Sequence, residues 1–271
     1  MTYDDLITNW QPHAADPTAD TALWDAMADG FSHFDIPTVE NNTFMHFLSE
    51  KELLETSRNA LDIGCGGGKY ALALADYCPD GVVGTDLSPK MIAAARENAV
   101  RFSKENLVFR TENWHTLNLQ RAGMEGAFDL VYAHNTPAIQ CLSDFEKLIA
   151  ASRKHCVVSL PVRRQDKIQD ALYAQFFSDI DQQHRDRNLL YMFEALWYKG
   201  YEPHIAYDHQ HWHSRRSLEK TETIMLNRIR SRQSLSPKLE QAIHHWLEDR
   251  AVDGMIEEET QTTIAMLYWQ V

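Results

Sequence analysis

The chain is short of cysteine, of basic residues and of long apolar runs, and each shortage excludes something. Its four cysteines, Cys65, Cys78, Cys141 and Cys156, include no CxxC pair. Neither a zinc-site spacing nor a disulfide framework is therefore read, and a reducing, cytoplasmic setting is expected. Against 39 acidic residues stand 26 lysines and arginines, a formal charge of -13. Such a surface repels nucleic-acid phosphates and anionic lipid heads, so neither nucleic acid nor membrane is an expected partner. No stretch approaches the roughly 18 apolar residues of a membrane helix. The opening MTYDDLITNW carries two aspartates and lacks the apolar centre of a secretory leader, so none is expected. Repeats, low-complexity tracts and Ser/Gly linkers are missing too, which favours one domain.

What is present is a chain of 271 residues, 44% of them apolar, enough for a sizeable core. From Asn59 to Pro161, short apolar runs (NALDIG, GVVGTD, LVFRTE, FDLVYAH, CVVSLP) alternate with helical patterns. That order predicts a parallel sheet covered by helices on both faces. Ser88 and Pro89 mark a helix start just after Asp86, the serine as cap and the proline at the first helical position. Upstream, DTALWDAMADGFSHF and NNTFMHFLSEKELLE each read as a helix. Downstream, the pattern turns to helices and then to EPHIAYDHQHWH, which alternates like a strand. Helices from Ser217 to about Arg232 and from Ser236 to about Arg250 lead to a last strand, TTIAMLYWQV. The expected fold is α/β: a doubly wound, Rossmann-like sheet of seven strands, mostly parallel, with an antiparallel carboxyl-terminal pair, amino-terminal helices and a helical insertion. The expected divisions within one domain are a helical lid over 1–58, a core over 59–162, an insertion over 163–200 and a completing segment over 201–271.

The densest local signal is LDIGCGGGK, Leu61 to Lys69. A Walker A loop needs glycine six residues before its lysine and Ser or Thr after it. Those positions hold Ile63 and Tyr70, so a phosphate loop is excluded. The dinucleotide fingerprint started at Gly64 puts Lys69 where its third glycine belongs. What does fit is D-x-G-x-G-x-G, with Asp62, Gly64, Gly66 and Gly68 in register. Side-chain-free positions let backbone approach a ligand, while the leading carboxylate favours an ammonium and repels a pyrophosphate. Asp86, at the end of the next strand, can take both hydroxyls of a ribose. An adenosine carrying an amino acid suits this pattern better than a nucleotide.

Together, ALDIGCGGGKYALALAD, VVGTDLSPKMIAAARENA, FRTENWHTL and FDLVYAHNTPAI resemble, in order and spacing, the motifs of class I S-adenosylmethionine-dependent methyltransferases. The resemblance covers about residues 59 to 161. It implies S-adenosyl-L-methionine as cofactor and S-adenosyl-L-homocysteine as product; with the acidic surface and a helical insertion able to close over a pocket, a small-molecule acceptor is expected. It also implies that backbone at Gly64, Cys65 and Gly66 passes the methionine part, with Gly68 completing the loop, and that Asp62 lies near the ammonium. Asp86 would bind the ribose, Leu87 the adenine face, and Asn113 with Trp114 the adenine edge and ring. Asn113 stands where an Asp is common, and its amide oxygen can still accept from the adenine amino group. Singly, these residues have plainer readings: a tight turn for the glycines, a helix-preceding residue for Asp86, core for Trp114.

Ligands of open α/β sheets lie beyond the carboxyl ends of the strands, so AHNTPAI should border the transferred methyl. His134 is the candidate base there, with a purely structural or substrate-binding histidine as the competing reading. Asn135 and Thr136 are candidate substrate contacts, although Asn135-Thr136-Pro137 departs from the Asn-Pro-Pro-aromatic loop of amino-group methyltransferases. In DHQHWH, His209, His211 and His213 project from one strand face. His211 is assigned to a substrate wall; no metal is expected, since no recognisably spaced Cys or acidic ligand accompanies these imidazoles. Tyr3, Trp10, Trp24 and Phe31 either roof the cofactor or fill a helical core layer. Two other functions share the same loop: a cofactor-binding protein without transfer activity, and a nicotinamide oxidoreductase, which Asp62 and the lost third glycine disfavour.

Overall fold

The computed structural model describes residues 2–12, 17–177, 186–231 and 233–271. Helices α1 (Tyr3–Asn9), α2 (Pro17–Ser32), α3 (Thr43–Glu50) and α4 (Leu53–Thr56) come first. The alternating region follows: β1 (Ala60–Ile63), α5 (Lys69–Leu74), β2 (Val82–Asp86), α6 (Pro89–Arg101), β3 (Leu107–Thr111), α7 (Leu119–Ala122), β4 (Phe128–His134), α8 (Leu142–Ala151) and β5 (Ser152–Asp166). The remainder is α9 (Lys167–Phe176), α10 (Arg187–Tyr198), β6 (His204–Ser217), α11 (Leu218–Arg230), α12 (Pro237–Glu248) and β7 (Met255–Gln270). Residues 178–185 of the expected insertion, and Arg232 at an expected helix end, lie outside the described residues. Among the described residues, no helix is long and apolar enough to cross a membrane.

The seven strands form one sheet in the order β3-β2-β1-β4-β5-β7-β6. β1 to β5 run parallel, and β7 is antiparallel to both its neighbours. This is the architecture expected from the alternation. The chain first winds outward from β1 to β3 and then restarts on the other side of β1 with β4, which creates a switch point between β1 and β4. Ser88 accepts from the Met91 amide with Pro89 in the first turn, so α6 starts where the sequence placed it.

Two apolar clusters cover the two faces. One joins Trp10, Phe145, Leu196 and Trp269; the other joins Phe44, Leu72, Tyr132, Val157 and Met266. Burying a side chain of this size contributes about 1.5–3 kcal/mol. A third cluster, with Leu172, Tyr173, Met225, Ile229, Ile243 and Ile256, forms where β6 and β7 continue past β5 and carry α9, α11 and α12. It makes a cap beyond the carboxyl ends of the parallel strands.

The expected helix over 41–55 is in fact two. Glu52 adopts φ 56°, a left-handed turn, and the break lets α3 bury Phe44, Phe47 and Leu48 while α4 separately buries Leu53 and Leu54. The amino-terminal aromatics also divide. Trp10 is 2% exposed and stacks on Tyr191, and Tyr3 meets Tyr198 edge-on, so these two fill the α10 side of the core. Trp24 and Phe31 touch one another on α2, which contacts both α6 and α11 and so bridges core to cap.

Candidate active site

β1 ends at Ile63 and the chain turns at once. The Gly64 and Cys65 amides both donate to the Thr85 carbonyl, at 2.7 and 2.9 Å, which ties the loop to the end of β2. Gly64 has φ 71°, and a Cβ there would lie 2.0 Å from Thr136 Oγ1; the β4 loop thus rests directly on the glycine loop. At Gly66 the surroundings are open, with only Met91 Sδ near, at 3.9 Å. Gly68, also at positive φ, precedes α5, and Cys65 is buried under the loop.

Two carboxylates flank this loop. Asp62 is 3% exposed. Burial, and to a lesser degree the charge of Asp86, push its pKa up to about 7, against the opposing influence of Tyr132 and the Ala71 amide. The Tyr132 hydroxyl beside it is itself buried without a hydrogen bond of normal geometry. Asp86 Oδ2 accepts from the Gly66 amide and Oδ1 from the Ser88 amide, each at 2.9 Å. Burial raises its pKa too, with Asp25 adding to the effect. Asp25, on α2, accepts from Ser88 Oγ. Neither Asp62 nor Asp86 makes an ion pair among the described residues. A buried and a half-buried acid, a buried hydroxyl and an open glycine form a cradle short of positive charge, and a ligand bearing an ammonium and a sulfonium fits it.

Leu87, directly after β2, is half-buried, and Asn113, just past the end of β3, is exposed, with its Oδ1 accepting from the His115 amide at 3.0 Å. Trp114 is only 4% exposed; its Nε1 donates to the Asp144 carbonyl and Lys147 lies over its ring. The indole therefore sits in the core, and what it offers the cleft is mainly backbone.

His134, last residue of β4, is wedged between Phe44 and Tyr70, whose ring centroids each lie 4.2 Å away. Asn135 Nδ2 donates to its Nε2 at 3.2 Å, so Nδ1 carries the proton toward Ser159 Oγ. Burial, with Lys69 adding to it, pushes its pKa down to about 3. A neutral imidazole so weakly basic, with both nitrogens engaged, is a poor proton acceptor near neutrality. Asn135 is exposed in the left-handed region at φ 51°, and Thr136 Oγ1 accepts from the Ala138 amide.

His211 is separated from this group. On β6 the even positions share the face of Tyr132 and His134: Ala206 packs against the apolar cluster that holds Phe44 and Tyr132, and Asp208 acts electrostatically on Tyr70. Odd positions from Tyr207 onward, His211 among them, point to the other face and are exposed. The residues around His134 that sequence reasoning missed are Phe44, Tyr70 and Ser159, with Asp208 acting on Tyr70 from β6. Only Asp208 had a usable signal, the period-2 alternation of β6, which sorts it away from the histidines; the others meet through tertiary packing.

The profile of a family described as "methyltransferase domain" matches residues 54–249. Among solved structures, the [4+2]-cyclase SpnF superposes with a TM-score of 0.53 at 14% identity, covering 96% of this chain and 97% of its own. A candidate methyltransferase from Bacillus halodurans C-125 superposes with a TM-score of 0.50 at 14% identity, covering 84% and 99%. At such identity the likeness is one of fold. No curated protein sequence matches the chain.

Proposed function

This chain belongs to the methyltransferase-domain family, and from that premise we propose that it transfers a methyl group from S-adenosylmethionine to a small-molecule acceptor held under the cap. The observation that carries the acceptor class is the roof: α2 spans from α6 to α11 over the carboxyl ends of the strands. A cleft closed from core and cap together suits a small molecule better than a macromolecular surface. The acidic surface also disfavours a nucleic-acid acceptor.

When bound, S-adenosylmethionine supplies an electrophilic methyl on a sulfonium. The chain's part is to hold and orient. In our reading Asp62 faces the ammonium, with Tyr132 beside it, and backbone at Gly64, Cys65, Gly66 and Gly68 lines the methionine end. Asp86 takes the ribose, Leu87 and Asn113 border the adenine, and Trp114 supports that wall from the core. Thr136 and Asn135 lie between the glycine loop and the acceptor side. His134 serves there as a fixed hydrogen-bonding group with Tyr70 and Phe44, since its low basicity suits an acceptor that needs no proton removed. We read 1–58 as the roofing segment, 59–162 as the cofactor core, 163–200 as the insertion and 201–271 as its completion. Four buried, unpaired cysteines fit a cytoplasmic setting.

The test is calorimetry with S-adenosylmethionine on the wild type and Asp86→Ala, followed by a metabolite panel scored by release of S-adenosylhomocysteine. Binding that Asp86→Ala abolishes, and turnover of at least one small metabolite, are expected. Turnover confined to protein or nucleic-acid substrates would sink the acceptor assignment.

A further inference from the structure

We propose that the exposed face of the β6–β7 pair is a binding site for a divalent transition-metal ion, built from His211, His213 and Glu259. Sequence spacing along β6 shows only imidazoles; the fold supplies the missing carboxylate from the neighbouring strand. In the antiparallel register His213 stands directly opposite Glu259 and His211 opposite Gln261. His211 Nε2 lies 3.0 Å from Glu259 Oε1, and the two imidazole rings are 4.8 Å apart. One potential donor atom from each of the three residues falls within 4.8 Å of the other two. All three side chains leave the same face of a continuous ladder, so small rotations bring them around one ion.

Among the described residues two other clusters with histidine also bring three donor atoms within 4.8 Å of one another, but their ligands are engaged elsewhere or buried. His244 and His245 are adjacent on α12, so they leave the helix in different directions, and His244 is bound to Glu222 at 2.9 Å. At His115 and Cys141 the third member, Asp144, is fully buried and already accepts from His115 and from the Gln140 amide. Among the described residues, the strand site alone draws its three ligands from two hydrogen-bonded neighbouring strands. Two nitrogens and a carboxylate oxygen suit zinc, cobalt or nickel; calcium and magnesium prefer oxygen ligands alone. Three protein ligands leave positions for water or for an added ligand. Lys167 Nζ, 4.0 Å from Glu259 Oε2, competes for the carboxylate and weakens the site.

Tag-free protein, stripped with chelator, is titrated with zinc chloride in a calorimeter, and with cobalt chloride followed by visible absorption. We expect one ion per chain, with cobalt bands of low coordination number. His211→Gln combined with His213→Gln should weaken binding by about 50-fold or more, an effect of the size that loss of ligands produces. Glu259→Gln should weaken it less, and Lys167→Gln should tighten it several-fold. His244→Gln with His245→Gln should change nothing. The substituted positions on β6 are exposed, and an unchanged circular dichroism melt verifies that the variants fold. No one-to-one zinc binding by the wild type at about 100 μM, or equal binding by the His211/His213 variant, overturns the proposal.

Discussion

In the proposed function, Asp62 is asked to be a charge partner in a place that penalises its charge. Its pKa of about 7 means that below neutrality a proton competes with any ammonium for the same carboxylate. Affinity for S-adenosylmethionine should therefore be level above about pH 7.5 and fall by up to about tenfold per pH unit below 7. Calorimetry from pH 5.5 to 8.5 measures this, and Asp62→Asn should bind weakly with no such slope. The same residue costs stability: a carboxyl whose folded pKa lies above its ordinary 3.8 destabilises the fold increasingly as pH rises through that interval. Asp62→Asn should thus raise the unfolding free energy at pH 8 by on the order of 2 kcal/mol, with no gain at pH 3.5. At His134 the expectation is a small effect. A general base contributes about 10²–10⁴ in rate, whereas His134→Asn should cost under about tenfold in kcat and leave its pH profile unshifted between pH 6 and 8. A hundredfold loss confined to kcat would restore the base. The identity of these residues was legible in the sequence, because carboxylates and glycines at strand ends announce themselves. Their protonation was not, since burial and the Phe44–Tyr70 clamp around His134 arise only when distant segments meet.

At the scale of elements, the informative contact is between α2 and the glycine loop. A Cβ on Gly67 would lie 2.1 Å from the Phe31 carbonyl oxygen, at the end of α2. Backbone on backbone has no side chain to yield, so Gly67→Ala must push the end of α2 away. Amide exchange in α2 should accelerate by about tenfold or more while strands β1 to β5 keep their protection. Unchanged exchange in α2 would show that the contact does not hold the helix. Helix starts were readable here, as Ser88-Pro89 and Ser236-Pro237 both cap as expected. The break at Glu52 was not, because a non-glycine residue in the left-handed region carries no sequence mark. The division of the amino-terminal aromatics was equally hidden: Trp10 and Trp24 have similar local surroundings, and only the packing of Trp10 on Tyr191 and Phe145 separates them.

Over the whole molecule, the mostly parallel seven-stranded sheet with its antiparallel carboxyl-terminal pair followed from the alternation of runs and helices, while the cap did not. Its cluster of Leu172, Met225, Ile243 and Ile256 is distinct from the two that clasp the sheet. It should open as a unit: native-state hydrogen exchange in rising denaturant should release α9, α11 and α12 together before β1, β4 and β5. Simultaneous release of cap and sheet would mean a single cooperative unit. The placement of β7 has a further consequence, which concerns synthesis. β6 joins the sheet only through β7, and β7 also covers the open edge of β5. While the ribosome is still making Met255 to Gln270, a nascent chain holds five parallel strands with a bare hydrogen-bonding edge and a sixth strand that has nowhere to dock. For that interval the bare edge is open to pairing with other chains, and a stop codon ahead of β7 would make the exposure permanent and the product prone to aggregate.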